Sequence, residues 1–191
     1  MALNNVFTGA NGTLLMGADF GSAGAGPEGP EGGDANAIAT AYGIGNFEIA
    51  RVTDVEVRVQ TDLEEFHEIG RRHPTSLHPG NIHISGKIGR AYINGALLYF
   101  LLGRGAVPNM IDEPYVQPNL FLNVVLNDPA RPNNRARLEI SGVKLDDWVF
   151  SLPEDDFVVE GLTFKALNIH IRDEDEGTAI SPEFAEAPSE A

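Results

Sequence analysis

No cysteine occurs in the chain. Disulfide frameworks, thiolate zinc sites and thiol nucleophiles are therefore excluded at once. Tryptophan occurs once, as Trp148, and no lysine or arginine precedes Arg51 or follows Arg172. The N-terminal residues lack both a basic stretch and a long apolar run, so no signal peptide is expected. The most apolar stretch, Ile93–Leu102, is far shorter than the roughly 20 residues that cross a bilayer as a helix. A P-loop is also missing, because Gly86-Lys87 is followed by Ile88.

What is present is acid, unevenly placed. The net charge is −15 over 191 residues. Residues 1–34 hold four acids and no base, and residues 173–191 hold seven acids and no base. The stretch between them is close to balance. Such a chain should not grip nucleic acid, because binding there rests on Lys and Arg neutralising phosphates. The 42% hydrophobic content suffices for a packed core at this length.

Three regions are expected. Residues 1–46 form an N-terminal segment whose run Gly21–Gly33 is mostly Gly, Pro and Glu, which reads as a long mobile loop. Deleting it should leave the fold intact. Residues 47–172 form a β domain. Residues 173–191 form an acidic C-terminal arm or disordered tail.

Within the middle region the apolar period is two, the signature of strands with one buried face. Val55, Val57 and Val59 alternate with polar residues, as do Ile82, Ile84 and Ile88. Leu120 to Leu126, Ala136 to Ile140 and Trp148 to Leu152 repeat the pattern. Leu162, Phe164 and Ala166 are followed by Ile169 and Ile171, a slip of one residue such as a β-bulge produces. Two segments read as helix. Asp62 and Glu65 match a capping box ahead of Leu63, Phe66 and Ile69. Asn94–Leu102 is apolar nearly all round, so a single sheet cannot cover it, and loops or another subunit must complete the cover.

Motifs for chemistry are weak. Gly24-Ala-Gly26-Pro-Glu-Gly29 has dinucleotide-fingerprint spacing, but Pro27 and Glu28 stand where phosphate-binding amides belong. His67, His73, His78 and His83 fit no common zinc spacing. Asp173-Glu-Asp175 starts like a calcium loop but lacks the later ligands. Asp146-Asp147 and Glu154-Asp155-Asp156 read as turn residues rather than a glycosidase pair. Neither a cofactor, a metal nor a catalytic residue is expected, and the chain does not read as an enzyme.

Four stretches carry a resemblance: Arg51–Arg58, His83–Leu98, Leu138–Leu145 and Asp155–Asn168. In pattern and order, over residues 47–172, they resemble tail tube proteins of tailed bacteriophages and the related tubes of contractile injection systems. The resemblance implies two packed, partly orthogonal antiparallel sheets (a barrel-like sandwich) with one flanking apolar helix and one short helix. It implies self-assembly into stacked hexameric rings, with one sheet per subunit joined into an inner barrel. DNA then passes through the lumen without specific binding, and tape-measure protein occupies it. Sheath, baseplate and tail terminator proteins are further partners. The implied place is the virion tail, after synthesis in the host cytoplasm.

Under that reading Asp54, Glu56, Arg58 and Gln60 are lumen-facing candidates. Gly21, Gly33, Arg71, Arg72, Tyr99, Phe100, Arg135 and Arg137 are inter-subunit candidates. Two alternatives remain: a baseplate or tail-end ring protein of the same fold, and a β-sandwich carbohydrate-binding module.

Overall fold

The computed structural model describes residues 7, 9–18, 29–43, 47–48, 52–91, 95–110, 117–128, 131–155, 158–175 and 178–180. The elements are β1 (Gly12–Ala18), α1 (Gly29–Ala41), β2 (Phe47–Glu48), β3 (Val52–Phe66), β4 (Ser76–Ala91) and α2 (Ala96–Leu102), then β5 (Leu120–Asp128), β6 (Arg131–Ser151), β7 (Val159–Ala166), β8 (Asn168–Asp175) and β9 (Thr178–Ile180). The alternating stretches of the sequence lie on these strands, with Leu152 just past the end of β6 and the stretch from Leu162 to Ile171 divided between β7 and β8.

All pairings are antiparallel, and they form two sheets that share β6. The first sheet runs β2-β1-β5-β6-β8-β9 and the second runs β3-β4-β7-β6. β6 serves both because its length is divided. Up to Val143 it pairs with β5 and β8, and from Lys144 to Ser151 it pairs with β7.

The division falls at Gly142, whose φ of 64° lies in the left-handed region. Glycine enters that region at little cost, whereas a side chain there is strained by about 1–2 kcal/mol. A Cβ at this position would also lie 2.7 Å from Leu167 Cδ1. Leu167 is itself a corner. It separates β7 from β8, and its N–H donates to the Ser141 carbonyl at 3.2 Å. The slip read at this point as a bulge is thus the place where the chain leaves the second sheet for the first. Strands that bend from one sheet into the other are how orthogonally packed sheets make their corners.

One apolar cluster fills the space between. Leu14, Met16, Leu120, Leu122 and Ile140 come from the first sheet, and Ile88, Leu145, Leu162 and Phe164 from the second. Each such side chain contributes roughly 1.5–3 kcal/mol by leaving water. The N-terminal segment is part of this core, since β1 lies between β2 and β5 and Ala35 and Ala39 of α1 are buried.

Three sequence expectations change. First, Gly29–Gly33 open α1 rather than belonging to a loop, while Gly21–Glu28 lie outside the described residues. Pro30 is tolerated because the first helical turn has no use for its missing N–H. Ala35, Ile38 and Ala39 then supply an apolar face at helical spacing. Deleting residues 21–33 would therefore remove the start of a packed helix. Second, α2 packs its buried side on this chain, while Leu102 stays exposed. Ala96, Leu97 and Phe100 are buried, with α1 and β6 packed against the helix. Third, Asp62–Ile69 does not form a helix. Residues up to Phe66 continue β3, paired with β4 as far as Phe66↔Ser76. The Asp62 carboxylate meets His83 Nε2 across the strands at 3.1 Å instead of capping a helix. Cross-strand pairing here overrides a local helix signal.

Candidate assembly surfaces

The second sheet has one apolar and one polar face. Register aligns Val55 with Ile88, Ile88 with Leu162 and Leu162 with Trp148 on the core side. The opposite side carries Asp54, Glu56, Arg58 and Gln60 from β3, all exposed. Lys87 of β4, Thr163 and Lys165 of β7, and Asp146 of β6 join them. Lys87 Nζ sits 3.0 Å from Glu56. That hydrogen bond, followed by the charge of the same carboxylate, holds the Lys87 ammonium above the ordinary lysine range. Lys165 Nζ lies 3.5 Å from Asp146, which also accepts from the Thr163 hydroxyl. Acids and bases alternate over this face, so it is no basic patch. The four lumen candidates thus share one wet sheet face.

The same sheet ends in two unpaired edges among the described residues. β3 pairs only with β4, and β6 from Lys144 to Ser151 pairs only with β7. These edges stand on opposite sides of a four-strand sheet. Each presents a row of N–H and C=O groups open to another strand.

The β3–β4 hairpin extends past the rest of the sheet. β7 reaches β4 only from Ile84 onward, so the pairs from Thr61↔Ile82 to Phe66↔Ser76 have no third strand. By register Val59, Leu63, Leu77, Pro79 and Ile82 continue the core-side face of Val55, Val57, Ile84 and Ile88. Beyond Ile84 that face is bare: Leu63 is 60% exposed and Ile82 65%. A two-stranded hairpin is at best marginal by itself in water. This arm therefore carries an apolar face that the described residues leave uncovered. His67, His73, His78 and His83 all belong to the arm or its tip. Among the described residues no group of three or more His, Cys, Asp or Glu converges as metal ligands.

A buried polar cluster closes one end of the core. Arg90 Nε donates to Glu160 Oε1, and Trp148 Nε1 donates to Glu160 Oε2 at 2.9 Å. The Arg90 and Glu160 side chains are 5% and 0% exposed. Sequence reading did not single out this group. The signal was available: in Ile84-x-Gly86-x-Ile88-x-Arg90 and Glu160-x-Leu162-x-Phe164, opposite charges occupy inward phases of two strands.

The inter-subunit candidates scatter. Arg71 and Arg72 are exposed at the tip of the arm, and Arg135 and Arg137 are on the outer face of the first sheet. Tyr99 is half-buried against Tyr42, with ring centroids 5.7 Å apart. Phe100 is 1% exposed in the chain's own core, so its partner is intramolecular. Gly33 is exposed in α1, and Gly21 lies outside the described residues.

The sequence matches no family model and no curated protein. The fold does match solved structures. One is from an extracellular contractile injection system, the PVC sheath/tube terminator in the extended state, at 10% identity and TM-score 0.54, covering 89% of this chain and 99% of that one. Another is the anti-feeding prophage tube terminating cap, at 9% identity and TM-score 0.54, covering 91% and 95%. A third is from the PVC sheath–tube complex in the extended state, at 10% identity and TM-score 0.53, covering 90% and 95%. The chain is mainly β, with the fold shared by tube and terminator proteins of contractile injection systems. The likeness spans nearly all of both chains in each case.

Proposed function

We propose that this chain is a structural subunit of a phage-type tail tube, assembling with copies of itself into stacked hexameric rings. The observation that carries this reading is the second sheet. It has a polar outer face, an apolar inner face and open edges on its two opposite sides. Placing β3 of one copy beside β6 of the next makes the sheet continuous from subunit to subunit. A ring closes the series and removes both edges of that sheet. The outer face then lines a lumen whose mixed charges give passing DNA no basic surface to hold. Asp54, Glu56, Arg58 and Gln60 face that lumen. Tape-measure protein inside it, and sheath or baseplate proteins outside it, belong to the same reading, as does a place in the virion tail. Assembly, not catalysis, is the activity.

The apolar arm supports assembly independently, since its exposed face is covered only when another copy meets it. Native mass spectrometry over a wide concentration range tests the reading. A six-chain ring and larger multiples are expected, and a strict monomer would count against it. Charging the arm through Leu63→Asp with Ile82→Asp should leave the melting temperature of the monomer within a few degrees, because both side chains already face water. The same change should weaken association at least tenfold, the equivalent of about 1.4 kcal/mol.

A second reading is a tail-end ring. Two of the fold matches are named as a terminator and a tube cap. A protein of that kind would give single rings that do not stack, which the same spectra would separate from a tube.

A further inference from the structure

The outer face of the first sheet carries a shallow groove that tube formation through the second sheet leaves unused. Thr13 and Leu15 of β1 and Val125 and Asn127 of β5 form its floor, and Arg135 and Arg137 of β6 form its wall, with Asp128 at one end. Register places Thr13, Val125, Arg137 and Arg172 side by side on four consecutive strands. Arg137 and Arg172 are thus like charges directly opposed, an arrangement that destabilises a sheet unless compensated. Both lean on the one carboxylate of Glu139, at 3.8 and 3.2 Å. Arg135 has Glu174 as its register neighbour, but it makes no ion pair among the described residues. The groove therefore offers under-compensated guanidinium groups beside apolar Leu15 and Val125.

We propose that this groove is the docking site of the chain's own C-terminal segment, residues 181–191. Its carboxylates pair with Arg135 and Arg137. The segment fits in charge: it contains Glu183, Glu186 and Glu190 and no base. It fits in reach as well. Ile180 pairs with Asp173 of β8, and β8 is next to β6, so the segment starts about 10 Å from Arg135, two strand spacings away. Eleven extended residues span up to about 36 Å. Arg–carboxylate pairs of this kind are charge-assisted and often bidentate. The inference uses only the first sheet and does not require that the chain form tubes.

The cysteine-free chain permits a direct test. Nitroxides placed on Asn123→Cys, beside the groove, and Ser189→Cys report their separation by double electron–electron resonance. Dilution into unlabelled full-length chain restricts the signal to distances within one molecule. A narrow peak at about 15–30 Å is expected, set by the few strand spacings between the sites. It should give way to a broad distribution in R135Q/R137Q, in R135Q alone to a lesser degree, and in about 1 M salt, where the Debye length is about 3 Å. A distribution that is broad from the start, or one unmoved by either variant and by salt, overturns the proposal. So does a short distance that appears only without dilution, since the segment would then sit on a second copy. Variants are compared at equal far-UV circular dichroism, so that loss of fold is not mistaken for undocking.

Discussion

Replacing Glu160 with alanine is expected to destabilise the fold by about 3–5 kcal/mol, because it breaks the buried Arg90–Glu160 pair by removing the carboxylate to which the guanidinium donates. The Trp148 indole N–H, which donates to the same carboxylate, loses its acceptor too. In a domain of this size each kcal/mol moves the melting temperature by about 2–4 °C, so a fall of roughly 6–20 °C should appear in a thermal scan. The paired change Arg90→Met with Glu160→Leu should recover most of that loss, since a well-packed apolar pair of similar volume replaces buried charges at little cost. If Glu160→Ala melted within 2–3 °C of the parent, the cluster would not hold the end of the second sheet in the way described. The position would matter for the proposed assembly, because Glu160 is the register partner of both Arg90 and Phe150 and so ties β7 to β4 and to the open β6 edge.

The second large effect concerns that sheet's other edge. Along β3, successive N–H groups point in turn toward β4 and outward. Proline at Arg58 and, separately, at Val59 therefore removes one inward and one outward donor. The variant that loses the outward donor should keep the monomer's melting temperature within a few degrees. Both should raise the concentration needed for assembly by more than about tenfold, since every interface of a closed ring repeats the defect. Light scattering during polymerisation reads this out. Two variants that assemble at the parent's concentration would remove the edge-to-edge junction from the account.

Much of the fold was legible because one physical signal dominates it. Alternation at period two marks strands with one buried face, and Val55–Val59, Leu120–Leu126 and Leu162–Phe164 lie on strands whose apolar side faces the core. The break after Ala166 was visible as a change of phase. Sequence alone could not show that Gly142 and Leu167 stack as paired corners, because that depends on which strands become neighbours.

The two misread segments share a cause. The Gly/Pro/Glu run looked incompatible with helix, yet its end is held as α1 by Ala35, Ile38 and Ala39 packing on the core. Asp62–Phe66 looked like a capped helix, yet long-range pairing with Ser76–Ile82 makes it strand. In both, contacts distant in sequence outweigh local preference. The two helices are linked in this respect, since α1 supplies part of the cover for α2 and Phe100 that the sequence leaves to loops or another subunit. The candidate surfaces were legible in part as exposed faces. Asp54, Glu56, Arg58 and Gln60 do share one exposed face, but the bare arm appeared only once the hairpin was seen to outrun β7.

Cryo-electron microscopy of the purified full-length protein tests the central claim most directly. Rings or hollow tubes are expected whose inner wall is one continuous sheet, with β3 of each subunit beside β6 of the next and Asp54, Glu56, Arg58 and Gln60 facing the lumen. A monomer at every concentration, or an assembly whose wall leaves the β3 and β6 edges unpaired, would contradict it.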